Sequence, residues 1–132
     1  MKRKFVARLA AVLGLLMLSG VLAFAHHGVD PSYDNAHPTT LKGVVTAFEF
    51  INPHAKLSVD VKDASGNIEK WSVEMGSPNS LRRSGWNKDT IKPGDEISFT
   101  GAAAKDKTRK MILHKFVFAD GREGPQAGGQ LD

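Results

Sequence analysis

The sequence predicts an all-β domain of five strands with one short helix, closed into a small Greek-key barrel. Three observations predict it. Two neighbouring segments alternate apolar and polar residues around a glycine turn, as half-buried strands do. A well-capped helix start, Ser77-Pro78, falls between the third and fourth strand segments. The length, once an N-terminal leader is set aside, suits one core and no more.

The elements follow in chain order. Residues 26–40 (HHGVDPSYDNAHPTT) have no period and read as a flexible, histidine-bearing arm. The barrel domain is expected over 41–119. Its first strand is 41–50 (LKGVVTAFEF), rich in Val, Thr and Phe, with Gly43 marking a bulge or bend. Asn52-Pro53 ends it. In 56–62, Leu57, Val59 and Val61 face one way, and Ser58, Asp60 and Lys62 the other. Ala64-Ser65-Gly66-Asn67 forms a hairpin connection. The return strand, 68–75, sets Trp71, Val73 and Met75 against Lys70, Ser72 and Glu74. Ser77 caps a helix of about two turns that Gly85 terminates. Lys92-Pro93-Gly94-Asp95 is a turn before the fourth strand, 96–101, and 111–118 is the fifth. The glycine-rich 120–132 reads as a disordered tail. Five strands with a helix between the third and fourth is the order of an oligonucleotide/oligosaccharide-binding (OB) barrel. A small β-sandwich gives no reason for a helix at that point.

The N-terminus carries an address. Lys2, Arg3 and Lys4 precede an apolar run over 5–25, which ends in Ala23-Phe24-Ala25, the small residues a signal peptidase reads. Residues 1–25 are therefore expected to be a signal peptide, and the mature protein periplasmic. Four of the 18 basic residues lie in this leader, so the mature chain carries 14 basic against 14 acidic residues. A neutral domain lacks the basic footprint of a nucleic-acid binder, and no nucleic-acid partner is expected. After cleavage no stable membrane insertion is expected either. An uncleaved leader would be about long enough to span a bilayer. The chain has no cysteine. Disulfides and thiolate metal sites are thus excluded, which leaves His, Asp, Glu, backbone groups or a terminal amine as ligands.

Cleavage after Ala25 makes His26-His27-Gly28 the new N-terminus. An α-amine titrates near ~7.8 and can lose its proton to a metal at neutral pH. With the His26 imidazole it forms a bidentate chelate suited to Cu(II), which His27 or a distant histidine would complete. Cleavage after Ala23 instead places His26 third, another copper-competent register. His54, in the connection between the first two strands, borders the usual ligand face of such a barrel. It is a candidate third ligand, though a turn histidine bonded to nearby backbone fits the same sequence. His37 is a weaker candidate, and His114, on the strand pattern of Ile112, Phe116 and Phe118, reads as barrel wall. Arg82, Arg83 and Trp86 around the helix end are candidates for an anionic ligand, with the arginines also complementing the helix dipole. The basic run at 105–110 lacks aromatics for stacking bases and reads as a solvated loop. No nucleophile elbow, H-E-x-x-H or phosphate loop is present, and no catalytic residue is identified.

Ala25-His26-His27, Asn52-Pro53-His54, Trp71-Ser72-Val73-Glu74, Ser77-Pro78 through Leu81-Arg82, Gly85-Trp86 and Pro93-Gly94-Asp95 occur in that order. This combination resembles a family of small exported Gram-negative bacterial proteins classed as a domain of unknown function. The resemblance implies export and the domain boundaries, and it transfers no activity. His26, His27 and His54 are among the motif positions.

The expected function is that of a periplasmic binding module, with copper or another late transition metal held by His26, His27 and His54. The alternatives are an interaction module docking on an envelope protein partner and, third, a small copper redox enzyme. Everything at the N-terminus depends on one peptide bond. Intact mass of the exported protein is expected to match a chain starting at His26. A start at Phe24 would move the histidine to third position, and a retained leader would remove the terminal chelate.

Overall fold

The computed structural model describes residues 30–127. Residues 1–29, which hold the expected signal peptide and the start of the arm with His26 and His27, and the last residues 128–132 lie outside the described residues. Five strands, β1 (Thr39–Glu49), β2 (Lys56–Lys62), β3 (Ile68–Glu74), β4 (Glu96–Ala103) and β5 (Lys110–Phe118), and one helix, α1 (Pro78–Arg83), follow in that order. The strands close into a barrel in the order β1-β2-β3-β5-β4, with β4 returning to β1. All pairs are antiparallel except β3 with β5. This is the OB arrangement the strand order predicts.

The predicted alternation holds where it was cleanest. Leu57, Val59 and Val61 of β2 are buried, and Val59 and Leu57 pair with Trp71 and Val73 of β3. Antiparallel partners share a face, so these pairs form one inner wall. The Ser77 side chain accepts the Ser80 amide, and Pro78 opens α1 as expected. Gly85 adopts a positive φ of 93°, which terminates the helix.

Two bulges reset the alternation elsewhere. In β1, Val45 pairs with Val59 and Ala47 with Ser58, leaving Thr46 as the extra residue. The bulge therefore sits three residues beyond Gly43. Gly43 serves close approach instead, since a Cβ there would strike the Asp60 carbonyl oxygen and, at 2.7 Å, Val59 Cγ1. In β5, Leu113 pairs with Gly101 and Lys115 with Thr100, so His114 is the inserted residue. Met111 and Leu113 face inward before it, and Phe116 after it. His114 thus belongs to neither regular face, which corrects the expectation that it shares one with Ile112, Phe116 and Phe118.

The aromatic side chains form a continuous row across one end of the barrel. Phe50, Phe48, Trp86, Phe116 and Phe118 follow each other with ring centroids 5.6, 5.8, 5.2 and 5.1 Å apart. Such tilted contacts each add about 0.5–1.5 kcal/mol beyond area burial. Trp86, the centre of the row, is only 2% exposed and donates its Nε1–H to the Gln126 carbonyl at 2.8 Å.

That bond corrects the expectation for the tail. Residues 120–127 are packed: Phe118 and Gly124 amides bond the Arg122 and Phe116 carbonyls, and Ala127 is buried in the core. Gly124 lies so flat on the Phe116 ring that any Cβ would overlap it. Gly124, one of the glycines that read as disorder, is a residue that permits this packing. The arm is likewise anchored within its described part, through a bridge from Tyr33 to Ala104, and β1 begins two residues early at Thr39.

Two stability measurements check this packing. Gly101→Ala would drive a Cβ into the Ile112 carbonyl oxygen and to 2.8 Å from Met111 Cγ, and a loss of about 1–3 kcal/mol is expected in urea unfolding. Removing 120–132 uncovers Phe116 and orphans the Trp86 indole, which should cost about 2 kcal/mol or more. An unchanged urea midpoint in the truncated chain would return the tail to the disordered class.

Candidate functional site

The β1–β2 connection is pinned to the end of β3 by two backbone bonds. The Ala55 amide donates to Gly76, and the Met75 amide donates to Ala55, at 3.1 and 3.0 Å. Ala55 is fully buried, so the residue before it leaves the barrel wall at a fixed point. That residue is His54. Its Nδ1 lies 2.7 Å from Oε1 of Glu74, the last residue of β3. A carboxylate only accepts, so Nδ1 carries the proton of this bond, and in the neutral ring the lone pair lies on Nε2. Both side chains are partly exposed, at 27% and 30%. Among the described residues Nε2 has no hydrogen-bond partner. An imidazole oriented by a carboxylate on one nitrogen, with the other open, is the arrangement metal-ligating histidines use.

The described part of the arm is tied to the end of β4. The Asp34 amide donates to the Ala103 carbonyl and the Lys105 amide to the Ser32 carbonyl, both at 2.9 Å. Tyr33 between them bridges Ala104. Burial and the nearby carboxylates of Glu74, Asp30 and Asp106 push the Tyr33 phenol up from its ordinary value. Glu74 thus stands within electrostatic reach of the arm while it holds His54.

The other sequence candidates fall elsewhere. Arg82 and Arg83 are exposed on α1, and the Arg82 guanidinium lies 5.1 Å from the centroid of the Phe50 ring. Arg82 Nη1 also donates to Asn79 Oδ1 at 3.0 Å. Trp86 does not join them as a ligand contact: its ring is enclosed by Phe48 and Phe116 and its N–H is taken by Gln126. His37 is exposed and pairs with Asp34 at 3.2 Å. The 105–110 segment spans the β4–β5 loop and the first residue of β5, and in it Asp106 accepts from Thr108 and Arg109 reaches back to Glu69 at 2.8 Å. Hydrogen bonds from Arg109 and Trp71 hold the Glu69 carboxyl below its usual range.

Among the described residues no three His, Asp or Glu side chains gather as a metal-ligand set. His54 is the one proposed ligand within them, and His26 and His27 lie outside. Sequence reasoning missed Glu74 and Tyr33. Glu74 was legible in principle: pairing 56–62 with 68–75 places Glu74 opposite Lys56, two residues from His54. Tyr33 gave no such signal, because its neighbours have no period.

No helix among the described residues is long and apolar enough to cross a membrane. No curated protein matches this sequence. Among solved structures, the mitochondrial single-stranded DNA-binding protein Rim1 of S. cerevisiae is similar in fold. Its TM-score is 0.48 at 9% identity, covering 65% of this chain and 97% of that one. The model of a family of unknown function, DUF6152, matches residues 14–113, and the chain belongs to that family.

Proposed function

We propose that this protein is an exported, periplasmic metal-binding module that takes Cu(II) through His26, His27 and His54. The observation that carries the reading is the His54–Glu74 pair: an imidazole fixed by a carboxylate at 2.7 Å, with no hydrogen-bond partner on its second nitrogen among the described residues. The arm supplies the remaining nitrogens. His27 precedes Asp30 by three residues, a reach of about 10 Å in extended chain. A terminal amine, the His26 imidazole and His54 Nε2 make a neutral nitrogen set. Such a set favours Cu(II) over hard cations, which seek oxygen ligands. The outer face of β2 and β3 carries Ser58, Asp60, Lys62, Ile68, Lys70 and Ser72, with no aromatic platform for stacking bases.

A second reading, docking on a protein partner, draws on Ile51. It is 58% exposed at the tip of the β1–β2 loop, and the neighbouring Phe50 carries Arg82 over its ring. Its failure or success is independent of metal.

Titration of correctly processed protein with Cu(II) against a competing chelator separates these readings. His54→Ala is expected to weaken binding at least tenfold, and Glu74→Gln by about 10–100-fold through loss of the orienting carboxylate. Affinity unchanged in His54→Ala and in a His26→Ala/His27→Ala chain would sink the metal reading.

A further inference from the structure

A cleft lies at the far end of β2 from His54. Lys56, opposite Glu74, and Lys62 mark the two ends of that strand, roughly 20 Å apart. Pairing between β1 and β2 stops at Val44 and Asp60, and the same register continued would set Lys42 opposite Lys62. No such pair forms, and β1 before Val44 keeps only its ladder with β4, where Lys42 meets Ser98. A cleft of about 700 Å³ opens there, and both lysines line it. Val44 and Ile68 line it as well, at 39% and 51% exposure. They are two of the three large apolar side chains left exposed among the described residues. The partly buried Phe118 adds to the same apolar surface.

We infer that this cleft binds a small amphipathic anion, an organic carboxylate with an apolar chain, whose head is held by Lys42 and Lys62. Charge complementarity argues for the anion. Among the described residues neither lysine has a carboxylate within ion-pair distance. Asp60 lines the cleft too, but Lys70 holds it at 3.3 Å. Glu96 pairs with Val44, one step further along β1 and about 7 Å from the level of Lys42. The charged head therefore belongs at the lysine end of the cleft. Two ammonium groups on one cleft repel each other, and an anion between them relieves that repulsion. Size and surface argue for an organic ligand. The volume falls within the roughly 300–1,000 Å³ of sites that take small molecules. A bare inorganic ion would leave Val44 and Ile68 uncovered, whereas an apolar chain removes them from water. The cleft is remote from His54 and Glu74, so the inference stands or falls without the metal.

The experiment titrates processed full-length protein with octanoate and follows backbone amide chemical shifts. Octanoate is expected to shift the Val44, Lys62 and Ile68 amides along a saturable curve. Acetate, which lacks the chain, and octan-1-ol, which lacks the charge, should not saturate them at equal concentration. The double variant Lys42→Gln/Lys62→Gln should bind octanoate at least tenfold more weakly, and Ile68→Ser severalfold more weakly. Lys105→Gln, which removes a lysine outside the cleft, should bind as wild type does. Lys42, Lys62 and Ile68 are exposed, so each variant should keep the thermal midpoint of wild type, which serves as the folding check. Absence of shifts at the cleft, equal binding of octan-1-ol, or undiminished affinity in the double lysine variant overturns the inference. Shifts at the same amides that grow with protein concentration and resist octanoate also overturn it, and assign the cleft to a second copy of the chain.

Discussion

The barrel closes through three residues. Residues 72–74 of β3 pair in parallel with 110–112 of β5, the shortest contact in the sheet and the one pair that is not antiparallel. Without it β3 and β5 would be open edges, with unpaired backbone groups and an unsealed core. With it, Glu74 has a fixed height on the barrel wall. The β1–β2 loop is then hydrogen-bonded to the two residues that follow Glu74, which brings His54 to its carboxylate. The Ser72 amide also bonds the Arg109 carbonyl, which ties the end of the β4–β5 loop to the same closure. One short strand pairing thus fixes the end of β3, the β1–β2 loop that carries His54 and the end of the β4–β5 loop together.

The site does not draw on the core. The inner wall is apolar, with no buried polar or charged residue among those described, and the aromatic row through Trp86 seals it at the helix end. In a chain without cysteine that packing has to stabilise the fold by itself, so the glycines at 43, 101 and 124 matter as contact surfaces. Each lets backbone or ring approach where a methyl group would not fit. The polar groups stay on the outside, partly solvated, where an imidazole can bind a ligand without the cost of burying a charge.

Legibility in the sequence followed the reach of each signal. Alternation is local, so β2 and β3 could be read residue by residue, and the Ser77-Pro78 cap is a feature of adjacent residues. The bulges at Thr46 and His114 could not be read this way. An inserted residue changes the phase of a strand only relative to its partner, and the partner is far away in sequence. The tail failed for a related reason. Gly124 looks permissive alone, and only the Phe116 ring beneath it makes it a packing residue. Within the candidate site, His54 was visible as a loop histidine of the right barrel type, while its orienting carboxylate needed the β2–β3 register. Tyr33 needed the whole sheet.

A two-part site has a physical logic that a rigid one lacks. His54 is held by Glu74 and a pinned loop, so little of its conformational freedom remains to be lost on binding a ligand. The described part of the arm is tied to β4 through Ser32, Tyr33 and Asp34. A short tether raises the effective concentration of its end at a nearby site well above that of a free peptide, provided it can span the gap. In the proposed metal site, cleavage of the expected leader would supply the amine that joins the histidine nitrogens.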